Sequence, residues 1–356
     1  MERRKTKAIA VGDVVIGGDS PVAVQSMTNT VGYDRIYAQM KALEDAGCDI
    51  IRMAVPDAES AEILGRLKKS DIRMPIVADI HFDYRLAIAA VEAGADKIRL
   101  NPGNIGSRDR IKAVADCCRE RGIPIRVGVN SGSLQKEKLD KYGEISPAAL
   151  AESAMENVRL LEDADFSRIV IAVKSSSAVK MAEANRLIAA KTDYPLHLGV
   201  TEAGTAKVGL LKGAAGIGGL LLAGIGDTVR VSLTADPIEE VAAGIAILKA
   251  CERYEKPCIE LVSCPTCGRT KIDLLPLAAE FERRAAGIKV KKSVKAAIMG
   301  CVVNGPGEAA DADVGIAGGI GEALLFCKGK PVCKIEEKEI VARLLSEAER
   351  IGNEDV

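Results

Sequence analysis

Two stretches carry the residues best suited to chemistry: ELVSCPTCGRT at 260–270 and AIMGCVVNGPGE at 297–308. They place Cys264 and Cys267 at C-x-x-C spacing, then Cys301, then Glu308 beyond a Pro-Gly turn. Three thiols and a carboxylate reach one point only where the chain folds back, as a strand–helix–strand unit does. Thiolates hold iron–sulfur clusters, and a carboxylate in the fourth position leaves one iron weakly held. A structural zinc site closes its tetrahedron with four Cys or His ligands. No second C-x-x-C follows here, and neither His81 nor His197 is near. Zinc, or unmetallated core cysteines, is the alternative on this motif alone.

The elements that must position such a site show as a repeating pattern. Short apolar runs (AVQSM, IIRMAV, PIVADI, KIRLNP, IRVGVN, RIVIAVKS, LHLGVT and TVRVSL) alternate with segments of helical period such as DRIYAQMKALEDAG. Gly47, Gly94 and Gly122 stand where helices should stop. Eight strand–helix units fit the roughly 250 residues of a (β/α)8 TIM barrel, whereas a doubly wound sheet suits five or six. The spacing predicts an α/β chain with the barrel over 1–256 and a smaller α/β iron–sulfur domain over 257–356. The early KAIAVGDVVIGG reads as a hairpin plugging the barrel's bottom. After Pro257 the expected order is strand, C-x-x-C turn, helix, strand, the Cys301–Glu308 loop, two further strand-like runs, and a final helix from about Ile335.

A barrel's active site lies at the C-terminal ends of its strands. Those ends carry Arg52, Asp79, His81, Arg99, Asn101, Arg126, Asn130, Lys174, His197, Glu202, Arg230 and Ser232. Five of these are cations in a chain of net charge −1. Convergent Arg and Lys suit a compact polyanion, because a guanidinium matches phosphate oxygens in bidentate fashion. Each histidine either holds a substrate hydroxyl or satisfies a buried hydrogen bond. The glycines of GLLKGAAGIGGLLLAGIG form no P-loop; they serve either close helix–strand packing or phosphate binding.

Balanced charge, 3% aromatic residues and no Trp argue against nucleic acid or a membrane surface as partner. No apolar run is long enough to span a membrane, and the basic N-terminus lacks the apolar core of a secretory signal. Ten cysteines then imply reduced thiols and a cytoplasmic setting. The remaining cysteines read as buried small hydrophobes, with Cys258 a possible competitor ligand. No nicotinamide or flavin fingerprint is present, so electrons must come from a separate carrier.

Eight motifs in order, VQSMTNT, ADIHFDYRLA, KIRLNPGN, RVGVNSGSL, LHLGVTEAG, DTVRVSLT, SCPTCGRT and MGCVVNGPGEAADADVGIAGG, resemble those of the bacterial 4-hydroxy-3-methylbut-2-enyl diphosphate synthases. The resemblance runs from about residue 5 to 319 and is loose over 177–196 and the last thirty or so residues. It implies a TIM barrel that binds 2-C-methyl-D-erythritol 2,4-cyclodiphosphate and a C-terminal domain holding a [4Fe–4S] cluster. It also implies a homodimer in which one subunit's cluster domain caps the other's barrel, and reduced flavodoxin or ferredoxin as electron donor. By position, Cys264, Cys267, Cys301 and Glu308 are the implied cluster ligands. The same resemblance implies that Arg52, Arg99, Arg126 and Lys174 bind the diphosphate, aided by Asn130 and Ser232, and that Glu202 is the acid near the substrate hydroxyls. An exchangeable Glu308 would let a substrate oxygen reach the weakly held iron. Two other classes compete with this reading: an iron–sulfur redox sensor or electron carrier, and a phosphate-metabolite-binding barrel with a structural zinc domain.

Overall fold

The computed structural model describes residues 2–301 and 311–354. The chain divides into two compact units, Met1–Tyr254 and Glu255–Val356.

The first unit opens with an antiparallel hairpin, β1 (Ile9–Val11) and β2 (Val14–Ile16). Eight parallel strands follow: β3 (Ala23–Met27), β4 (Ile50–Ala54), β5 (Ile76–Asp79), β6 (Lys97–Leu100), β7 (Ile125–Asn130), β8 (Ile169–Lys174), β9 (His197–Leu198) and β10 (Thr228–Val229). Their spatial order is β8-β7-β6-β5-β4-β3-β10-β9. Parallel bridges from Ile171 to Leu196 and from Ser175 to Val200 join β8 to the segment around β9 and close the ring. β9 and β10 are only two residues long. Asp227 reinforces them: its carboxylate accepts from Leu196 N at 2.8 Å, Thr6 Oγ1 at 3.0 Å and Arg3 at 3.2 Å.

Local sequence explains the helices. Asp57, Ser146, Ser177 and Asp236 each cap a helix with a side-chain oxygen, and Pro147 and Pro237 follow their caps at the first helical position. Gly47, Gly94 and Gly122 have positive φ. At each, the next residue's N–H bonds back across the last turn, as Cys48 N does to Leu43 O at 3.0 Å, so the glycine's freedom ends the helix.

The two-residue period of the strands puts two tiers of side chains inside the ring. At the bottom, Ala23, Ile50, Val77 and Val170 pack against Ile9, Val11 and Ile16 of the hairpin, which plugs the barrel as expected. One step along the same strand faces stand Gln25, Arg52, Asp79 and Ala172. A barrel interior is normally filled with branched aliphatic residues. Here the upper tiers are polar and charged, and this is where the site lies.

The second unit is a five-stranded sheet in sequence order: β11 (Ile259–Ser263), β12 (Val294–Met299), β13 (Val314–Gly318), β14 (Glu322–Cys327) and β15 (Lys330–Glu336). The first three strands are parallel and the last two pairings antiparallel. Helices Leu274–Ala285 and Ile340–Asn353 bury Phe281, Leu344 and Ala348 against Ile298, Ile316 and Leu325. One expectation is corrected here. The segment from 330 is a strand, and the last helix begins at Ile340 rather than near Ile335. Lys328 and Gly329 both take positive φ, the geometry of a two-residue hairpin turn, and they fold β15 back onto β14.

Candidate active site

A cavity of about 270 Å³ opens among the barrel strands. Met27, Arg52, Asp79, His81, Arg99, Arg126, Gly128, Asn130, Ala172, Lys174, Thr201, Arg230 and Ser232 line it. The strand-end residues expected from sequence therefore converge, apart from His197, Glu202 and Asn101. Two of the cations are not at strand ends, however. Arg52 is the third residue of β4, and Arg126 is the second of six in β7. Their long side chains reach the cavity from inside the ring.

Asp79, at the end of β5, organises the arginines. Its carboxylate stands 3.0 Å from Arg99 Nη1 and 3.6 Å from Arg52 Nε. Burial acts to raise the Asp79 carboxyl, but Arg52, Arg99 and Arg126 outweigh it and hold it below its ordinary value. Arg52 also donates from Nη2 and Nε to Met27 Sδ at 2.8 and 3.1 Å. Burial pushes the Arg52 guanidinium down to about 10 against the opposing pull of Asp79; it remains a cation at neutral pH. Arg230 is tethered outside the ring by Glu240 at 3.2 Å, and the same carboxylate accepts from Leu233 N at 2.9 Å, fixing the Ser232 loop.

Arg126 is 1% exposed; among the described residues its side chain donates to Gln25 Oε1, at 3.4 Å, and its Nε has no partner. Lys174 makes no ion pair among the described residues. Burial, then repulsion from Arg230, Arg52, Arg126 and Arg99, drives its ammonium well below the ordinary lysine value. Among the described residues the five basic side chains lining the cavity have Asp79 as the carboxylate of that lining, and Glu240 pairs with Arg230 from outside it. Buried positive charge in such excess costs desolvation energy, and an anion of two or three charges would relieve it.

Glycines make the room. A Cβ at Gly128 would meet Arg99 Nε at 2.7 Å, and one at Gly199 would meet Lys174 Nζ at 3.0 Å. The same test explains the Gly-rich segment: a Cβ at Gly216 would strike Met181 at 2.8 Å and Val200 at 2.9 Å, and one at Gly226 would strike Leu198 at 2.5 Å. These glycines serve packing.

His197 is fully buried, with Nδ1 2.8 Å from Thr228 Oγ1, and it lies outside the cavity lining. Burial, then the surrounding cations, hold its imidazole neutral. Asn101 caps the short helix Pro102–Ile105. Glu202 is exposed on the loop after β9, next to the lining residue Thr201, and its φ of 51° is left-handed. That conformation is uncommon for a residue with a side chain and concentrates at functional sites. Met27, Gly128 and Thr201 had no signal in the sequence beyond their strand positions. Glu240 was invisible because its helix period looked ordinary.

The loops after β6 and β7 hang on one helix, Pro147–Glu162. Asn157 Oδ1 accepts from Gly103 N at 2.7 Å, and Ser153 donates to Gln135 Oε1 at 2.6 Å. Lys138 and Lys141 are tied to Glu152 at 2.6 and 2.7 Å. These bonds anchor the segments that immediately follow Arg99 and Asn130.

In the second unit, Cys264 follows β11 and Cys301 follows β12, at the same end of two adjacent parallel strands. Cys264 Sγ accepts from Gly300 N at 3.2 Å. Cys267 is exposed, and its thiol is lowered first by the Arg269 backbone N–H and further by the Arg269 and Thr270 side chains. The N–H donor at Cys267 favours its thiolate, the form that binds metal. Glu308 lies outside the described residues. Among the described residues no three His, Cys, Asp or Glu side chains already stand together as a metal-holding group. Cys264 and Cys301 at one end of the sheet, with Cys267 lowered toward its thiolate, are donors of the kind that iron–sulfur clusters take.

Comparison with known proteins places these features. The GcpE TIM-barrel domain model matches residues 6–245, and the GcpE protein C-terminal domain model matches residues 260–350. The chain is 55% identical over 355 residues to the 4-hydroxy-3-methylbut-2-en-1-yl diphosphate synthase (flavodoxin) of Caldanaerobacter subterraneus subsp. tengcongensis, covering 99% of each chain. It is 54% identical to the protein of the same name from Clostridium tetani, covering 99% of this chain and 100% of that one. The corresponding Geobacter sulfurreducens protein is 52% identical, with 98% of each covered. Among solved structures, a type I 3-dehydroquinate dehydratase from Clostridium difficile aligns with a TM-score of 0.51 at 14% identity, over 69% of this chain and 98% of that one. At that identity the likeness concerns the barrel fold alone.

Proposed function

The chain belongs to the GcpE family, and from that premise we propose how its residues carry out the family's reaction, the conversion of 2-C-methyl-D-erythritol 2,4-cyclodiphosphate to 4-hydroxy-3-methylbut-2-enyl diphosphate. It is an oxidoreductase of isoprenoid-precursor synthesis. The reaction takes up two electrons and two protons, breaks one ring C–O bond to phosphate, and releases one hydroxyl as water.

The observation that carries the reading is the cavity whose described lining sets five basic residues against one carboxylate, Asp79. Arg52, Arg99, Arg126 and Lys174 hold the cyclic diphosphate, with Asn130, Arg230 and Ser232 at its edge. As the ring opens, the phosphate oxygen that leaves carbon gains negative charge. Preorganised guanidinium donors stabilise that charge more than they stabilise the cyclic ester. Asp79 keeps Arg52 and Arg99 in place. His81, in the cavity lining, and Glu202, exposed next to the lining residue Thr201, orient the hydroxyls, and Glu202 gives the departing hydroxyl its proton. His197, bonded to Thr228 on the adjacent strand β10, supports the barrel interior rather than the substrate.

Cys264, Cys267, Cys301 and Glu308 would hold a [4Fe–4S] cluster, which supplies the electrons received from reduced flavodoxin or ferredoxin. The N–H bonds at Cys264 and Cys267 support those two sulfurs as ligands. The resemblance of the motifs supports Cys301 and Glu308, and a homodimer testable by sedimentation. The catalytic test is turnover of the cyclodiphosphate by protein purified without oxygen, with iron, sulfide and zinc measured in the same sample. Product formed at about four irons and four sulfides per chain supports the reading. Stoichiometric zinc without sulfide, or a full cluster without turnover, contradicts it and favours the zinc-domain or redox-sensor reading respectively.

A further inference from the structure

Beneath the cavity lies a lysine that the reaction above does not use. Lys97 opens β6 and shares the inward face with Arg99 two residues on. Its register neighbour on β5 is Val77, which packs on the hairpin plug, so Lys97 occupies the bottom of the polar interior. It is 0% exposed, and its Nζ has no hydrogen-bond partner among the described residues. The charged groups acting on it are Arg126 of β7 and Arg52 of β4, and it in turn acts on the buried His197 of β9. No carboxylate among the described residues pairs with it.

An ammonium in that position is opposed by burial and by two guanidinium groups, and both effects favour its neutral form. Arg126 and Arg52 also line the cavity above. A dianion seated on them offsets the repulsion they exert on Lys97 and adds an attraction of its own. We propose that Lys97 is a second, buried tier of the anion site, which takes up a proton from solvent when a diphosphate seats on Arg52 and Arg126 and strengthens binding without touching the ligand. This rests on the diphosphate reading of the cavity.

The tier has a signature that a merely structural lysine lacks. In the unfolded chain Lys97 carries its proton up to the ordinary lysine value of about 10.4, so burying it neutral costs stability at all lower pH. Replacing it by an apolar residue should therefore raise thermal stability while weakening binding.

The test is calorimetric titration of the anaerobic holoenzyme with 2-C-methyl-D-erythritol 2,4-cyclodiphosphate. It is run in buffers of different ionisation enthalpy from about pH 7 to about pH 9, for wild type, Lys97→Met and Lys97→Leu. Wild type should take up protons on binding. Both variants should lose a fraction of that uptake, bind about tenfold more weakly, and melt at or above the wild-type temperature. Unchanged affinity and unchanged proton uptake in a folded variant would overturn the proposal, as would failure of both variants to fold. Absence of binding by wild type would instead overturn the diphosphate reading, and the tier with it.

Discussion

Gly128 faces Arg99 so closely that a Cβ added to the glycine would stand 2.7 Å from Nε and 3.2 Å from Nη2 of the guanidinium. The backbone of β7 thus forms part of the wall against which Arg99, the arginine proposed to hold phosphate, is set. Gly128→Ala should displace the flexible end of Arg99 rather than the strand. We expect KM for the cyclodiphosphate to rise by about tenfold, equivalent to about 1.4 kcal/mol, with kcat and melting temperature nearly unchanged. Combined with Arg99→Ala, the glycine substitution should add little, because the group it displaces is already gone. Additive effects in the double variant would refute the steric account.

Asp79 joins Arg52 and Arg99 through one buried carboxylate. Asp79→Asn leaves two guanidinium groups without their counter-charge and should cost about 3 kcal/mol of barrel stability. The sign with pH follows from the depressed carboxyl. The stability it contributes is present above its unfolded value, about 3.9, and is lost as pH falls through its lower folded value. Acid unfolding should therefore lose a component below about pH 4 in the Asn variant. An acid profile identical to wild type would show that Asp79 does not bear this charge.

Lys174 has no ion pair among the described residues, and burial together with four arginines lowers its ammonium well below the ordinary value. In the proposed reading its charge holds the diphosphate, and that charge disappears as pH rises through the lowered value. KM should therefore climb with pH on the alkaline side, beginning below the range where an ordinary lysine titrates. In Lys174→Met, KM should already be high at neutral pH and depend less on alkalinity. A KM that is flat with pH in wild type would contradict the assignment.

The ring of cations was legible in the sequence because barrel strands alternate and their mouth-facing positions fall at predictable places. Arg99, Lys174, Arg230 and Asp79 follow directly from that rule. Arg126 departs from that rule. It sits near the beginning of β7 and reaches the cavity by the length of its side chain, which no periodicity encodes. The polar layer around Lys97 was hidden, since a lysine at the start of a strand normally reads as solvated. β15 was lost because Lys330–Glu336 is largely exposed, and a charged edge strand resembles the approach to a helix. Gly128 acts through Arg99 on the neighbouring strand and Glu240 through Arg230 and Leu233 across a strand-to-helix loop, and a strand or helix period gives no sign of such pairings.

The cysteines differ in access. Cys267 is exposed, whereas Cys48 and Cys118 are buried, and burial pushes the Cys118 thiol up to about 12. In cluster-free protein iodoacetamide should modify Cys267 first and leave Cys118 intact, as read by peptide mass mapping. Rebuilding with iron and sulfide should protect Cys264, Cys267 and Cys301 together. Labelling of Cys267 at the same rate in rebuilt protein would exclude it as a ligand.

The central claim, that the buried cations of the barrel hold the cyclic diphosphate for reduction, is tested most directly at Arg126, the most deeply buried of those lining the cavity. The measurement is steady-state turnover of 2-C-methyl-D-erythritol 2,4-cyclodiphosphate by Arg126→Met, prepared without oxygen and with iron and sulfide equal to wild type. The account predicts a KM raised by at least about tenfold, as expected for loss of a charge-assisted phosphate contact. An unchanged KM with the cluster intact would contradict it.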